Sequence, residues 1–340
     1  MRLRLVLASA FALILPASGY AADAPSFAGK TMKIVIPYGP GGTYDKYGQT
    51  FAAHFGEHVP GKPSVIVQHM PGAGGVKAMN WAFNVMPKDG LNMIVPLDNA
   101  VVNQLMRPEK MRYDARKFQW IGASNQTNIV MAVRADSGVL SWKDLKGKAL
   151  IASSSGQDTS FITCNLANGL LGARIKVVSG YKGSSTAMFA IEQGETQMAT
   201  YNWLAWGSKV PHWFTGDKPF ARAVLQIGVW RDPDVDQSVP MLSELVSSAE
   251  DKAVVAFIGS LGALGRGLAL PPGASAELVT MLRASYDSMN GDAKFAANLK
   301  KRKLRLIPSK GADIQKIVIA AVDNATPAVV ARASKMIYGK

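Results

Sequence analysis

Cysteine is nearly missing from this chain: Cys164 is the one example in 340 residues. That excludes an intramolecular disulfide framework and any zinc or iron–sulfur site assembled from several cysteines. Histidine is scarce too, at four. His54 and His58 bracket Glu57 in the order His-x-x-Glu-His, but Gly56 weakens that helix end and no further ligand follows, so no metal is expected. His69 and His212 stand alone. The glycine turns lack the Gly-Lys-Ser/Thr of a Walker loop and the spacing of a dinucleotide fingerprint, and Ser153 to Ser155 form no Gly-x-Ser-x-Gly elbow. No cofactor is expected. Beyond the first segment no stretch reaches the ~18 apolar residues of a membrane helix. What is present is ample apolar side chain, 48% against 18% charged, enough for packed cores rather than a disordered polyelectrolyte.

The beginning of the chain reads as an address. Arg2 and Arg4 precede an apolar run from Leu5 to Pro16, and small residues follow up to Gly19-Tyr20-Ala21. This is the order of a secretory signal peptide, residues 1–21, with cleavage after Ala21 and the periplasm as the destination. Its removal takes two charges from a formal net charge of +14. The remaining basic balance suits anions, nucleic acid or a membrane surface. The densest run, Lys300-Lys301-Arg302-Lys303 with Arg305, reads as a solvated helix end, and an exported chain meets little nucleic acid, so none is expected as a partner.

The exported body alternates strands and helices. Met32 to Pro37 reads as a buried strand, Gly39-Pro40-Gly41-Gly42 as a turn, and Thr43 to Phe55 as a helix. Ser64 to Gln68, Pro71-Gly72-Ala73-Gly74-Gly75 and Val76 to Asn84 repeat that order, and Met93 to Pro96 adds a strand before Leu97-Asp98-Asn99. The alternation restarts at Ala149 to Ala152, passes the loop Ser153 to Gln157, a helix to about Leu171, and the strand Lys176 to Val178. Ile129 to Val133 and Ala223 to Val229 are strands suited to carrying the chain between lobes. Helices follow at Ala276 to Asn290 and Ile314 to Ile337, the latter broken at Pro327. The fold class is therefore α/β, with mostly parallel sheets in two lobes. Lobe 1 is expected over 24–124 and 236–340, and lobe 2 over 125–235.

Gly39 to Asp45 lies where a strand feeds a helix. Glycines there admit close approach to main-chain N–H groups, and a helix start adds positive partial charge, which together make a seat for an anion. A tight turn capped by Thr43 or Asp45 fits the same residues. Pro71 to Gly75 repeats the device. Ser153-Ser154-Ser155-Gly156 with Thr159 and Ser160 offers further donors, as anion ligands or as helix caps. An exported enzyme using Asp45 or Asp98 as general base is the alternative, without a recognisable nucleophile.

Pro37-Tyr38-Gly39-Pro40-Gly41-Gly42-Thr43-Tyr44-Asp45 and Pro71 to Gly75, some thirty residues apart, resemble the paired motifs of the substrate-binding receptors of tripartite tricarboxylate transporters, the Bug receptor family. Ser154-Ser155-Gly156 with Thr159, Tyr181-Lys182-Gly183, Glu192-Gln193-Gly194, Val239 to Glu244 and Pro271-Pro272-Gly273 are similar to its later landmarks. The resemblance implies a type II periplasmic binding protein of Venus-flytrap shape with a hinge, a monomer that is no enzyme. It would close on a small organic carboxylate and hand it to membrane permease subunits. By position, Tyr38, Pro40, Gly41, Gly42, Thr43, Tyr44, Asp45, Ala73, Gly74, Gly75, Asp98 and Asn99 would form one wall. Ser154, Ser155, Gly156, Thr159, Tyr181, Tyr201, Asn202 and Trp203 would form the other. Gly180 and Gln197 stand where many members have Pro and Asp.

Overall fold

The computed structural model describes residues 26–228, 230–262 and 264–339; the expected signal segment lies outside them. The first βα unit is β1 (Thr31–Ile36) and α1 (Thr43–His58). Alternate β1 residues Met32, Ile34 and Ile36 are fully buried, and α1 sets Tyr47, Phe51 and Phe55 on one stripe at helical spacing. Phe51 stacks on Phe295 at 6.2 Å between centroids and meets Tyr286 edge-on at 5.6 Å, so the last third of the chain already closes the first core. β2 (Ser64–His69), α2 (Val76–Asn84), β3 (Asn92–Ile94) and α3 (Ala100–Met106) continue the alternation, and β4 (Gln119–Asn125) ends it.

The second body begins with β5 (Ile129–Arg134) and continues through β6 (Ala149–Ser154), α4 (Thr159–Leu171), β7 (Arg174–Ser179), α5 (Ser184–Glu192), β8 (Met198–Asn202), α6 (Trp203–Lys209), β9 (Ala221–Ile227) and α7 (Ala249–Gly259). The chain then returns to the first body as β10 (Arg266–Leu270), α8 (Ala276–Asn290), α9 (Ala293–Lys301), β11 (Ser309–Lys310) and α10 (Gly311–Asp323), and α11 (Pro327–Tyr338) ends it. The helical stretch breaks at Pro327, as expected, because Thr326 caps α11 through Val329 N–H and proline tolerates the first helical turn.

One sheet runs β11-β4-β10-β3-β1-β2 and the other β7-β6-β8-β5-β9. The α/β class is as expected, but the sheets are mixed rather than mostly parallel. Helix crossovers keep β1 with β2 and β3, and β6 with β7 and β8, parallel. Strands joined through the passages between bodies enter in the opposite sense, so β10 is antiparallel to β3 and β4, and β5 to β8 and β9.

The expected lobe boundary is also corrected. Leu242, Val254, Val255 and Ile258 bury themselves in the core of the second sheet, and so do Ala333 and Ile337 of α11. Residues 236–340 are thus divided between the bodies, and β9 lies within the second sheet instead of leading out of it. The chain passes between bodies at 126–128, between α7 and β10, and at 324–326. At the second passage Gly265 has φ +60, and a Cβ on it would lie 1.6 Å from the Asn125 carbonyl oxygen. Only glycine fits that crossing.

Candidate functional site

Among the contacts between the bodies, three cross the cleft beside its inner wall. Gly39 N–H donates to Lys182 O at 3.2 Å, Lys46 Nζ to Ser208 O at 3.0 Å, and Thr159 Oγ1 to Asp98 Oδ1 at 3.2 Å. The two faces of the cleft meet around a cavity walled by Tyr38, Gly42, Thr43, Tyr44, Asp98 and Arg266 from the first body. The second body supplies Ser155, Asp158, Thr159, Gly183, Ser184, Tyr201, Asn202 and Ala205.

Two helix starts open on it. α1 begins after Gly42 and α5 after Gly183, and neither helix has a side-chain cap. Their free N–H groups and dipoles therefore favour negative charge at this end of the cavity. Behind Ser184, Lys209 Nζ donates to the hydroxyls of Ser184 and Ser185. Burial, helped by Lys46, lowers its ammonium to about 7.

Among the described residues, Arg266 is the one cation in the cavity wall. Its side chain is 3% exposed, and Nη1 donates to Asp98 Oδ2 and to Gly265 O, both at 3.2 Å. The guanidinium lies 3.8 Å above the centre of the Tyr44 ring, a cation–π contact in a water-poor setting. Tyr44 OH in turn accepts the Asp98 N–H at 2.9 Å. Burial opposes the charge on Arg266, but Tyr44 and Asp98 together raise its pKa. Its Nε is buried and has no partner within the protein. Ser155 Oγ and Tyr201 OH are likewise buried, close to one another but without a hydrogen bond of ordinary geometry to any group. A buried unpaired donor costs on the order of 1–3 kcal/mol. Three such groups stand around one cavity, where a polar guest or water satisfies them.

Asp158 caps α4, with Oδ1 accepting Phe161 N–H at 3.2 Å and Oδ2 accepting Ser155 N–H at 3.0 Å. Burial raises its carboxyl to about 6 against the pull of those donors, and Asp98 pushes the same way.

Nine of the expected wall residues share this cavity: Tyr38, Gly42, Thr43, Tyr44, Asp98, Ser155, Thr159, Tyr201 and Asn202. Ala73, Gly74, Gly75, Gly156 and Tyr181 border a second chamber with Tyr38 and Ser155 in its wall as well. Tyr38 OH donates to Gly74 O at 3.0 Å, so this side chain partitions the two spaces. The second glycine turn thus faces the cleft but not the inner cavity. Six expected residues border neither space. Pro40 is exposed, and Gly41 gives its N–H to Asp45 at 2.7 Å. Asp45 is also held by His69 at 2.7 Å, so the capped-turn reading describes this pair. Ser154 Oγ is spent on Gly156 O and Ser179, and Asn99 is wholly buried. Trp203 packs on Phe214 and donates to Asp234 O.

Sequence reasoning missed Arg266, Asp158, Gly183, Ser184 and Ala205. An Asp-Thr pair before an apolar run marks Asp158 as a helix cap, yet nothing local says that it faces a cavity. Arg266 lies 168 residues from Asp98 on a strand without a clear pattern of its own. The zincin-like letters are explained without metal: His54 meets Asn298, while His58 meets Ser288 and Asp292. Among the described residues no cluster of metal-ligating side chains forms, and no single helix is long and apolar enough to cross a membrane.

Two mixed α/β bodies, three passages and a cleft between the bodies define the fold of the periplasmic solute-binding proteins. Among solved structures of that fold, an R. palustris protein with adipate is 19% identical at TM-score 0.69, covering 89% of this chain and 97% of that one. MatC from Rhodopseudomonas palustris with bound malate is 17% identical at TM-score 0.67, covering 88% and 98%. A TctC solute-binding protein from Polaromonas is 17% identical at TM-score 0.61, covering 93% and 100%. No protein-family profile and no curated protein matches the chain.

Proposed function

We propose that this chain is a periplasmic solute-binding receptor of the tripartite tricarboxylate kind, which captures a small organic carboxylate and delivers it to membrane permease subunits. The observation that carries the reading is the buried Arg266, whose Nε has no partner, in the wall of a cavity onto which two uncapped helix starts open. A carboxylate oxygen satisfies that donor, and main-chain N–H groups serve the rest of the anion. The structural neighbours solved with adipate and malate support the same chemistry. An enzyme reading has little to stand on. Asp45 is held by Gly41 and His69 outside the cavity wall, and Asp98 faces Arg266 and Thr159 with no recognisable nucleophile beside it.

A micromolar complex corresponds to about −8 kcal/mol. Two or three charge-assisted hydrogen bonds at roughly 1.5–3 kcal/mol each supply most of it once closure has excluded water. Native mass spectrometry of protein purified without refolding, followed by calorimetry against a panel of mono- and dicarboxylates, tests the reading. A co-purified acid or micromolar acid binding is expected. Tight binding of a neutral sugar with no response to any acid would overturn it.

A further inference from the structure

The charges in the cavity wall do not match a plain anion. Among the fourteen residues that line it, Arg266 is the one cation, whereas Asp98 and Asp158 are both carboxylic acids. Asp98 comes from the first body and Asp158 from the second, so the approach of the bodies brings the two acids into the wall of one cavity. Lys209 stands outside the lining, behind Ser184. A guest carrying only carboxylates would add further negative charge to a wall that already holds more acid than base, in a setting where like charges are weakly screened.

Neither acid is saturated. Asp98 accepts one hydrogen bond on each oxygen, from Thr159 and Arg266, both at 3.2 Å. Asp158 accepts one on each, from Phe161 and Ser155 N–H at 3.2 and 3.0 Å. An ionised carboxylate has room for about four. These bonds are also longer than the roughly 2.7–2.9 Å of strong charge-assisted pairs. Both oxygen pairs therefore retain accepting capacity in the same cavity as three unpartnered buried atoms: Arg266 Nε, Ser155 Oγ and Tyr201 OH.

We propose that the guest is amphoteric, an amino-substituted carboxylic acid whose ammonium group is received by Asp158 and Asp98 while its carboxylate meets Arg266 Nε and the starts of α1 and α5. The inference rests on the carboxylate reading above and narrows it. A primary ammonium has three donors, enough to reach one oxygen of each acid and a neighbouring hydroxyl of Ser155 or Tyr201. It removes the excess of negative charge, and it holds the two bodies together because its partners lie on opposite sides of the cleft. Asp158 thereby becomes a specificity-determining residue, and closure becomes selective for guests that carry both charges.

The test uses pairs of acids that differ by one amino group: aspartate with succinate, 2-aminoadipate with adipate, and alanine with propionate. Each is titrated calorimetrically at pH 7.5 into the wild-type protein and the Asp158→Asn variant; should that variant misfold, Asp158→Ser, which keeps a capping oxygen, replaces it. At least one amino acid should bind roughly tenfold or more tightly than its partner to the wild type, the scale of one charge-assisted contact. That advantage should disappear in the variant, with desamino binding retained or improved. Equal or tighter binding of the desamino acids to the wild type would overturn the inference while leaving carboxylate capture intact. An amino-group advantage unchanged in the variant would also overturn it. Silence from all six acids would instead bring down the carboxylate reading itself.

Discussion

Arg266 offers the sharpest test of how this cleft works. Replacing it with methionine keeps most of the side-chain volume but leaves the Asp98 carboxyl, 10% exposed in its side chain, without its partner at 3.2 Å. Removing one member of a buried pair costs about 3–5 kcal/mol. The Tyr44 ring also loses the cation 3.8 Å above it. Arg266→Met should therefore lower the unfolding free energy by several kcal/mol, and Arg266→Met with Asp98→Asn should recover most of that loss because no orphaned charge remains. Binding should behave differently. A lost charge-assisted hydrogen bond of roughly 1.5–3 kcal/mol weakens the complex by about 10- to 150-fold, and the double variant, which lacks the same Nε donor, should remain weak. Urea unfolding reads the first quantity, and calorimetry with the tightest acid of the panel reads the second. A folded double variant that binds that acid as well as the wild type would refute the assignment of Arg266 to the guest.

Other outcomes follow from neighbouring features. Gly74 has φ +66, and a Cβ there would lie 3.3 Å from Asp158 N across the cleft. Gly74→Val should thus hold the bodies apart and abolish binding with a smaller loss of stability; small-angle scattering should show a more open particle, and equal loss of folding and binding would make the glycine merely structural. Because burial raises the Asp158 carboxyl from 3.8 to about 6, the folded state binds the extra proton between those values. The contribution of this group to stability therefore falls as pH rises from about 4 to 6, by on the order of 3 kcal/mol. The difference between wild-type and Asp158→Asn unfolding curves across that range should show the slope, and parallel curves would contradict it. Burial pushes the Cys164 thiol up to about 12, so a thiol reagent at pH 8 should leave the native protein unlabelled and react only on unfolding. Rapid native labelling would show that α4 opens locally.

Strand, turn and helix order was legible because it is local. Gly42 followed by an apolar stripe at helical spacing gives α1, and Thr326-Pro327 gives the start of α11, wherever the rest of the chain goes. Tyr38, Gly42 and Tyr44 of the first turn were legible as part of one wall for the same reason, and the resemblance placed Ser155, Thr159 and Tyr201 opposite them. Strand direction was not, since β10 and β5 take their sense from partners reached only after the chain has passed between bodies. The lobe boundary escaped as well: the apolar face of α7 is equally compatible with either core.

The division for the site is similar. The sequence by itself determined that two glycine turns open helices and that hydroxyl-rich loops follow, because backbone freedom and capping depend on near neighbours. Only the tertiary structure decided which donors remain free. Asp45 consumes the Gly41 N–H locally, whereas Arg266 arrives from a distant strand, spends Nη1 on Asp98 and leaves Nε without a partner. Whether a polar group is satisfied depends on everything that packs around it, and most of that comes from residues far away along the chain.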